Sequence, residues 1–372
     1  MSGTNLIGGP SGGEACEVVS STYESAPAAE PTSTLLADLT TLRVGGPARR
    51  LVMARTDEAL VSAVRDADAR HEPVLLLGAG SNVVVSDEGF DGVVVVVATR
   101  GLNAEVSDCA GAFIKVAAGE PWDRVVAHTL SQEWIGLETL SGIPGATGAT
   151  PIQNVGAYGA DVSQTIARVR TWDRVSGRVV TFAASDCGFG YRSSRFKDEP
   201  GRYVVVDVSF QLELGPLSAP IRYAELAAAL GVEVGQRAPL GQVRDTVLAL
   251  RRAKGMVLDP EDHDTWSTGS FFTNPLLSVE EAAALPDEAP RYSQPDGTVK
   301  TSAAWLIDHA GFGKGYGSGP ARLSGKHTLA LTNRGSATAE DVVRLARDVR
   351  KRVREHFGVT LVPEPVLVGC EL

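Results

Sequence analysis

Basic charge is in short supply. The 35 Lys and Arg stand against 45 Asp and Glu, a formal net charge of −10. With no basic surplus to neutralise phosphates, a nucleic acid or an anionic membrane surface is excluded as the main partner, and an anionic small molecule has to be met by a local basic cluster. Cysteine is scarce too. Cys16, Cys109, Cys187 and Cys370 are scattered and form no CxxC pair, so neither a zinc site, nor any other metal site, nor a disulfide framework is expected. A reducing cytoplasm is the compartment this suggests. No apolar run approaches the length of a membrane span. The first 34 residues hold no Lys or Arg and no apolar h-region, so they are not a signal peptide. With Gly8, Gly9, Pro10, Gly12, Gly13, Pro27 and Pro31 among them, residues 1–34 are expected to be a disordered tail.

What remains is ample. The 372 residues, 43% hydrophobic and 22% charged, suffice for two or three domains and a large core. The chain is organised around Ser141–Asp161, SGIPGATGATPIQNVGAYGAD, whose only formal charge is its last residue. Five glycines and two prolines there set where the backbone turns or lies close to a ligand, and Ile143, Ile152, Val155, Ala157 and Tyr158 replace the Ser, Lys and Glu of a flexible linker. It reads as an ordered coil against something flat and apolar, or as a glycine-rich turn between core strands.

Around it, Thr41–Gly46 looks like a short strand entering a Gly-Gly turn. Thr56 can cap a helix running to Ala69, with Leu60, Val64 and Ala67 on one face. Val74–Val97 is three apolar runs cut by two glycine-containing loops. Glu120–Trp134 reads as an amphipathic helix, Ala167–Asp173 with Arg178–Ala183 as a hairpin, and Tyr203–Leu214 as a half-buried strand. Leu240–Lys254 is helical, Ser278 and Glu281 fit a capping box, and a strand at His327–Thr332 precedes a long helix, Thr338–Phe357. Strands and helices mix without regular βαβ alternation, so the fold class is α+β.

The stretch LLLGAGSN offers half of a dinucleotide fingerprint, but a Rossmann loop opens a helix, and Val83-Val84-Val85 promises another strand. A strand–loop–strand turn can still hold a diphosphate through consecutive backbone N–H groups. Two glycine loops about 60 residues apart suggest one cofactor with a diphosphate and a flat ring.

At these residues the sequence resembles a known family. GAGSNVVVSDEGFDG is similar to the diphosphate-binding stretch of the FAD-binding fold of the vanillyl-alcohol oxidase/PCMH type. The central coil narrows the likeness to the UDP-N-acetylenolpyruvoylglucosamine reductases, flavoenzymes that make UDP-N-acetylmuramate for peptidoglycan. The likeness continues through FGYRSSRFK (189–197), GSFFTNP (269–275), AAWLIDHAG (303–311) and VPEPVLVG (362–369).

It implies two α+β FAD-binding subdomains, 35–98 (completed by 358–372) and 99–235, and an α+β substrate-binding domain, 236–357. It implies non-covalent FAD, NADPH as reductant and a UDP-sugar as substrate; a monomer is expected. Hydride would pass from flavin N5 to the β-carbon of the enol ether in UDP-N-acetylglucosamine enolpyruvate. The catalytic residues carried over are Arg192, a fixed donor fork for the substrate carboxylate, Glu364, which can polarise it when protonated, and Ser270, proton donor to the α-carbon. For the cofactor the likeness points to Gly78, Ala79, Gly80, Ser81 and Asn82 in the first loop. In the coil it points to Ile143, Pro144, Gly145, Gly148, Ala149, Gln153, Asn154, Gly156 and Ala157, and beyond it to Arg251. Tyr223, Lys254, Asn274 and His327 are implied for the substrate, Tyr223 marking the branch whose inserted segment places a tyrosine over the nucleotide.

Without the family, Arg192 is a loop arginine, Ser270 a turn serine, Lys254 an exposed helix end and His327 a strand-edge histidine. Two departures stand out. Pro365-Val366 follows Glu364 where the family commonly has Val-Arg, and the loop 255–269 is longer, with Asp259, Glu261, Asp262 and Asp264 adding negative charge. The alternatives are an FAD-dependent alcohol or hydroxy-acid oxidase of the same fold, and a non-catalytic flavin- or nucleotide-sugar-binding protein. The first lacks a His or Cys within GAGSN to tether flavin; the second is at odds with the intact Arg192, Ser270 and Glu364.

Overall fold

A computed structural model describes residues 17–372. The chain begins with β1 (Val19–Tyr23), then β2 (Ala48–Ala54), α1 (Asp57–Ala69), β3 (Val74–Leu77), β4 (Val83–Val85) and β5 (Phe90–Val97). The Thr56 hydroxyl caps α1 by accepting from the Ala59 N–H, and Leu60, Val64 and Ala67 pack down on Val93 and Val95 of β5. Strands β2, β5 and β3 form a parallel sheet with β5 in the middle, which explains its run of valines buried on both faces.

The second unit contains β6 (Leu102–Ser107), β7 (Gly111–Ala117), α2 (Trp122–Ser131), β8 (Trp134–Ile135), β9 (Gly156–Ala157), β10 (Ala160–Asp161), β11 (Ile166–Asp173), β12 (Arg178–Ala183), α3 (Arg195–Asp198) and β13 (Tyr203–Leu214). They build an antiparallel sheet in the order β1-β6-β7-β13-β11-β12, with β8 on the end of β13. Trp122, Val125 and Val126 of α2 fill the core against β7 and β13. Beyond lie α4 (Ala224–Leu230) and α5 (Leu240–Ala253). The last unit follows: β14 (Leu276–Leu277), α6 (Val279–Ala283), β15 (Tyr292–Ser293), β16 (Val299–Lys300), α7 (Ala303–His309), β17 (Ala321–Leu323), β18 (Leu331–Asn333), α8 (Ala339–Phe357) and β19 (Val366–Val368). The capping box of Ser278 with Glu281 is formed, and Thr338 with Asp341 makes another. Strand β19 returns to pair in parallel with β4, putting the C-terminus beside the first glycine loop.

Five expectations need correction. Residues 17–34 are not a free tail. Strand β1 runs antiparallel to β6, Tyr23 stacks on His128 at 4.2 Å, and the Ser25 N–H donates to buried Glu120 at 3.2 Å; the rest of the expected tail, 1–16, lies outside the described residues. Thr41–Gly46 is a turn, and the strand starts after it, at Ala48. Strand β13 is buried on both faces as far as Phe210, because it lies in the middle of the sheet with structure over each side. A boundary at 235 would cut through one core, since Ile221, Leu226 and Ala227 pack with Ala238, Val243 and Val247. The large C-terminal core also takes in Leu42, Val44 and Val84, so the units share packing. Cys109, at the β6–β7 turn, is disulfide-bonded, against the expectation of no disulfide framework; Cys187 and Cys370 are free.

Candidate active site

The first glycine loop is shaped by packing. Gly80 has φ +62°, and a Cβ on it would lie 2.0 Å from the Leu39 carbonyl oxygen, so only glycine fits. Its own carbonyl accepts the Thr41 N–H at 3.1 Å. This leaves Ser81 and Asn82 facing a cavity that encloses about 190 Å³. The central coil lies across from them. The Trp122 N–H donates to the Gly145 carbonyl, and Thr147 donates through both its N–H and its hydroxyl to the Glu120 carbonyl. The two loops touch, with a Cβ on Gly78 only 3.2 Å from that of Ala146 and one on Gly145 only 3.1 Å from Ser81 Oγ.

Three distant stretches bring the catalytic candidates to the same cavity. Arg192, at φ +52°, donates through Nη2 to the Gly156 carbonyl at 2.9 Å, which ties the FGYRSS loop to the coil. Its Nε lies 3.0 Å from Glu364 Oε1, yet the N–H is not aimed at that oxygen: the contact is an ion pair without a hydrogen bond. Glu364 is fixed by its backbone, which donates to Phe271 at 2.8 Å and accepts from Asn82 Nδ2 at 3.3 Å. The same Phe271 follows Ser270, which also lines the cavity. Burial pushes the Glu364 carboxyl above its ordinary value, against the opposing pull of Arg192 and Lys197.

The cavity is lined by Ser81, Asn82, Ile143, Pro144, Gly145, Ala149, Gln153, Gly156 and Arg251 of the expected cofactor set. Gly78, Ala79, Gly80, Gly148, Asn154 and Ala157 do not line it, and most hold the framework instead. A Cβ on Gly148 would strike Ala118. Asn154 bonds the Gly190 carbonyl and the Ser163 N–H, and Ala157 pairs with Ala160 in β9–β10. Ala79 is exposed. Residues the sequence did not point to line it too, among them Thr41, Trp122, Met256, Leu258, Ser267 and Thr268. Ser267 and Thr268 sit just before Ser270, a proximity that could have flagged them.

Several buried polar atoms on this lining have no hydrogen-bond partner among the described residues: Gln153 Oε1, Arg192 Nε, Arg251 Nε and Thr268 Oγ1. An unmade bond of that kind is costly unless a ligand completes it. Arg251 is enclosed so fully that its pKa is pushed down to about 10, and it still carries its charge at neutral pH. A glycine-walled slot with unpaired donors and a buried cation suits an anionic, flat-ringed cofactor such as FAD. The enclosed volume falls below the roughly 300–1,000 Å³ of a pocket that swallows a whole drug-sized ligand, so much of such a cofactor would lie along the open part of the cleft.

The expected substrate residues lie outside the enclosed cavity. Tyr223 meets Tyr158 edge-on at 5.5 Å, and Lys254 Nζ stands 5.9 Å from the Tyr158 ring centre and 2.6 Å from Glu225 Oε2. His327 has its pKa pushed down to about 4 by burial and by Lys254, Lys314 and Arg251 nearby, so it is neutral at pH 7. Asn274 lines an adjoining groove with Arg192, while its Oδ1 accepts the Ala303 N–H at the start of α7. Two of the four carboxylates expected to add negative charge in the long loop are paired: Asp262 with Lys326 at 2.5 Å, and Asp264 with Arg334 at 2.8 Å. Each carboxylate is met by a cation from the β17–β18 region, which clips the loop down.

Arg192, Ser270 and Glu364 around a glycine-walled slot, on a parallel sheet joined to an antiparallel one, define an FAD-dependent oxidoreductase of the two-subdomain FAD-binding fold. A family signature described as an FAD binding domain matches residues 48–183, and one described as the C-terminal domain of UDP-N-acetylenolpyruvoylglucosamine reductase matches 259–368. The UDP-N-acetylenolpyruvoylglucosamine reductase of Cutibacterium acnes is 63% identical over 340 residues, covering 91% of this chain and 90% of that one. That of Streptomyces coelicolor is 58% identical over 348 residues, covering 91% and 90%. A crystal structure of the Thermus caldophilus enzyme shares the fold with a TM-score of 0.58 at 25% identity, over 95% of this chain and 99% of that one. The chain belongs to the UDP-N-acetylenolpyruvoylglucosamine reductase family.

Proposed function

We propose that this protein reduces the enol ether of UDP-N-acetylglucosamine enolpyruvate to UDP-N-acetylmuramate, with FAD as bound cofactor and NADPH as reductant, and that Arg192, Glu364 and Ser270 carry the chemistry. The observation that carries the assignment of roles is their convergence on one cavity from positions far apart in the chain. The chemistry FAD would supply when bound is hydride transfer, from NADPH to the β-carbon of the vinyl group. Arg192 orients the substrate carboxylate and meets the negative charge that builds on it. The substrate carboxylate brings a second anion beside Glu364, which favours its protonated form further and lets it donate a hydrogen bond to that carboxylate. Ser270 gives a proton to the α-carbon, completing addition of H⁻ and H⁺ across the double bond. Loop 255–269, clipped down by its two ion pairs, walls this pocket from water, as a weak acid such as a serine hydroxyl requires.

Ser81, Asn82 and the coil 143–156 would hold the cofactor, with Arg251 as its buried cation. Tyr223, Lys254 and His327 would meet the substrate diphosphate at the outer end of the cleft. Asn274 would act at its inner side. The working unit proposed is a monomer, and the compartment proposed is the cytoplasm, where NADPH is maintained. The net charge of −10 supports the absence of a nucleic-acid partner. No helix among the described residues is long and apolar enough to cross a membrane. The test is NADPH consumption with and without the enolpyruvyl substrate under anaerobic conditions. Consumption that is stoichiometric with the substrate is expected; consumption indifferent to it would overturn the reading.

A further inference from the structure

The outer end of the cleft holds a cluster of cations. Arg251 and Lys254 come from the end of α5, and His327 is faced by both of them and by Lys314. A carboxylate meets Lys254 here: Glu225, in the first turn of α4 and two residues after Tyr223, contacts Lys254 Nζ through Oε2 at 2.6 Å. Neither partner is needed to join the helices. Helix α4 is held on α5 by Leu226 and Ala227 packing against Val243 and Val247, so the ion pair sits at the rim of an apolar contact that stands without it. Both side chains are more than a third exposed, so each is free to exchange its partner with solvent or a ligand.

We propose that Glu225 is a positioning residue that occupies, on Lys254, the place a substrate phosphate takes, so that the carboxylate is displaced when the nucleotide diphosphate binds. This rests on the reading that Lys254 meets the substrate diphosphate. A carboxylate and a phosphate oxygen make the same charge-assisted contact with an ammonium. While Glu225 is there, Lys254 is kept in one place, and the site is shielded from unselective anions. The diphosphate outcompetes it because it brings more charge than a single carboxylate. The consequence is a cost in affinity, of the size of one exposed ion pair, that removing Glu225 abolishes.

The test uses the full-length holoenzyme and steady-state kinetics against the enolpyruvyl substrate, with UDP binding by calorimetry as a second readout. An exposed pair is weak, so Glu225→Gln should lower KM and the UDP Kd by about two- to fivefold, with kcat changing less than KM. Lys254→Met should raise both constants, and adding Glu225→Gln to Lys254→Met should bring no further gain, because the carboxylate then has nothing to occupy. If Glu225→Gln leaves or raises KM while Lys254→Met raises it, Glu225 is not a competitor and the proposal is wrong, with the reading of Lys254 intact. If Lys254→Met leaves both constants unchanged, that reading fails and the proposal falls with it.

Discussion

Glu364 stands in an apolar C-terminal run between Pro363 and Pro365, where an ionised side chain is expensive. The structure meets that cost partly with Arg192 and partly by raising the pKa of the carboxyl. A raised folded-state pKa means the folded protein binds the proton more tightly than the unfolded chain. The penalty on stability is therefore absent below the ordinary glutamate value of 4.5, grows as pH rises through the window above it, and is complete beyond the folded pKa. Glu364→Gln removes the ionisation while keeping the shape. Thermal melts should find the variant more stable than wild type at pH 8, with the gap closing as pH falls to about 4.5; a gap that widens on acidification would show the carboxyl is held ionised. Because Gln still donates a hydrogen bond, its turnover should exceed that of Glu364→Ala. The identity of these residues was legible in short motifs, FGYRSS, GSFF and the PEP of the C-terminal run. Their meeting was not, because it depends on β19 pairing with β4 and on the bridge between Phe272 and Pro363, contacts between stretches that carry no mutual signal in the sequence.

Helices whose apolar face is periodic and whose first turn is capped were plain in the sequence, as Thr56 before α1 shows. Elements stabilised only by their neighbours were not. Strand β1 buries almost nothing, and its sequence, VSSTY, has no apolar stripe; it exists because β6 offers an unpaired edge. That edge strand makes a prediction. The reference is a chain beginning at Glu17, which keeps β1. One beginning at Leu35 loses five backbone pairings, the Tyr23–His128 stack, the Ser25 bond to Glu120 and the Glu30–Arg55 ion pair. At about 2–4 °C per kcal/mol for a chain above 150 residues, and with roughly 2 kcal/mol at stake, the shorter chain should melt several degrees lower. Equal melting temperatures would mean β1 is only laid on the sheet. The Glu120 carbonyl also holds Thr147 in the coil, so the shorter chain should lose flavin more readily as well.

At the scale of the whole molecule, the site is a seam. The first glycine loop, the central coil, the FGYRSS loop, the GSFF turn and the C-terminal run each supply one wall, and none encloses a cavity alone. Nothing along GAGSN or the coil offers a His or Cys to tether a cofactor. Acid precipitation of the yellow holoenzyme should therefore release all flavin into the supernatant, and colour left in the pellet would contradict a non-covalent site. On the proposed roles the two half-reactions share one cavity but lean on different walls: flavin reduction by NADPH would draw on the glycine loops, and reoxidation by the vinyl substrate would draw on Arg192, Glu364 and Ser270 besides. Stopped-flow absorbance of the flavin, following each half-reaction separately in Ser270→Ala, tests that division most directly. The account predicts flavin reduction by NADPH close to wild type and reoxidation by the enolpyruvyl substrate slowed by about 10²–10⁴, the loss typical of removing a general acid. Slowed reduction, or reoxidation at the wild-type rate, would contradict it.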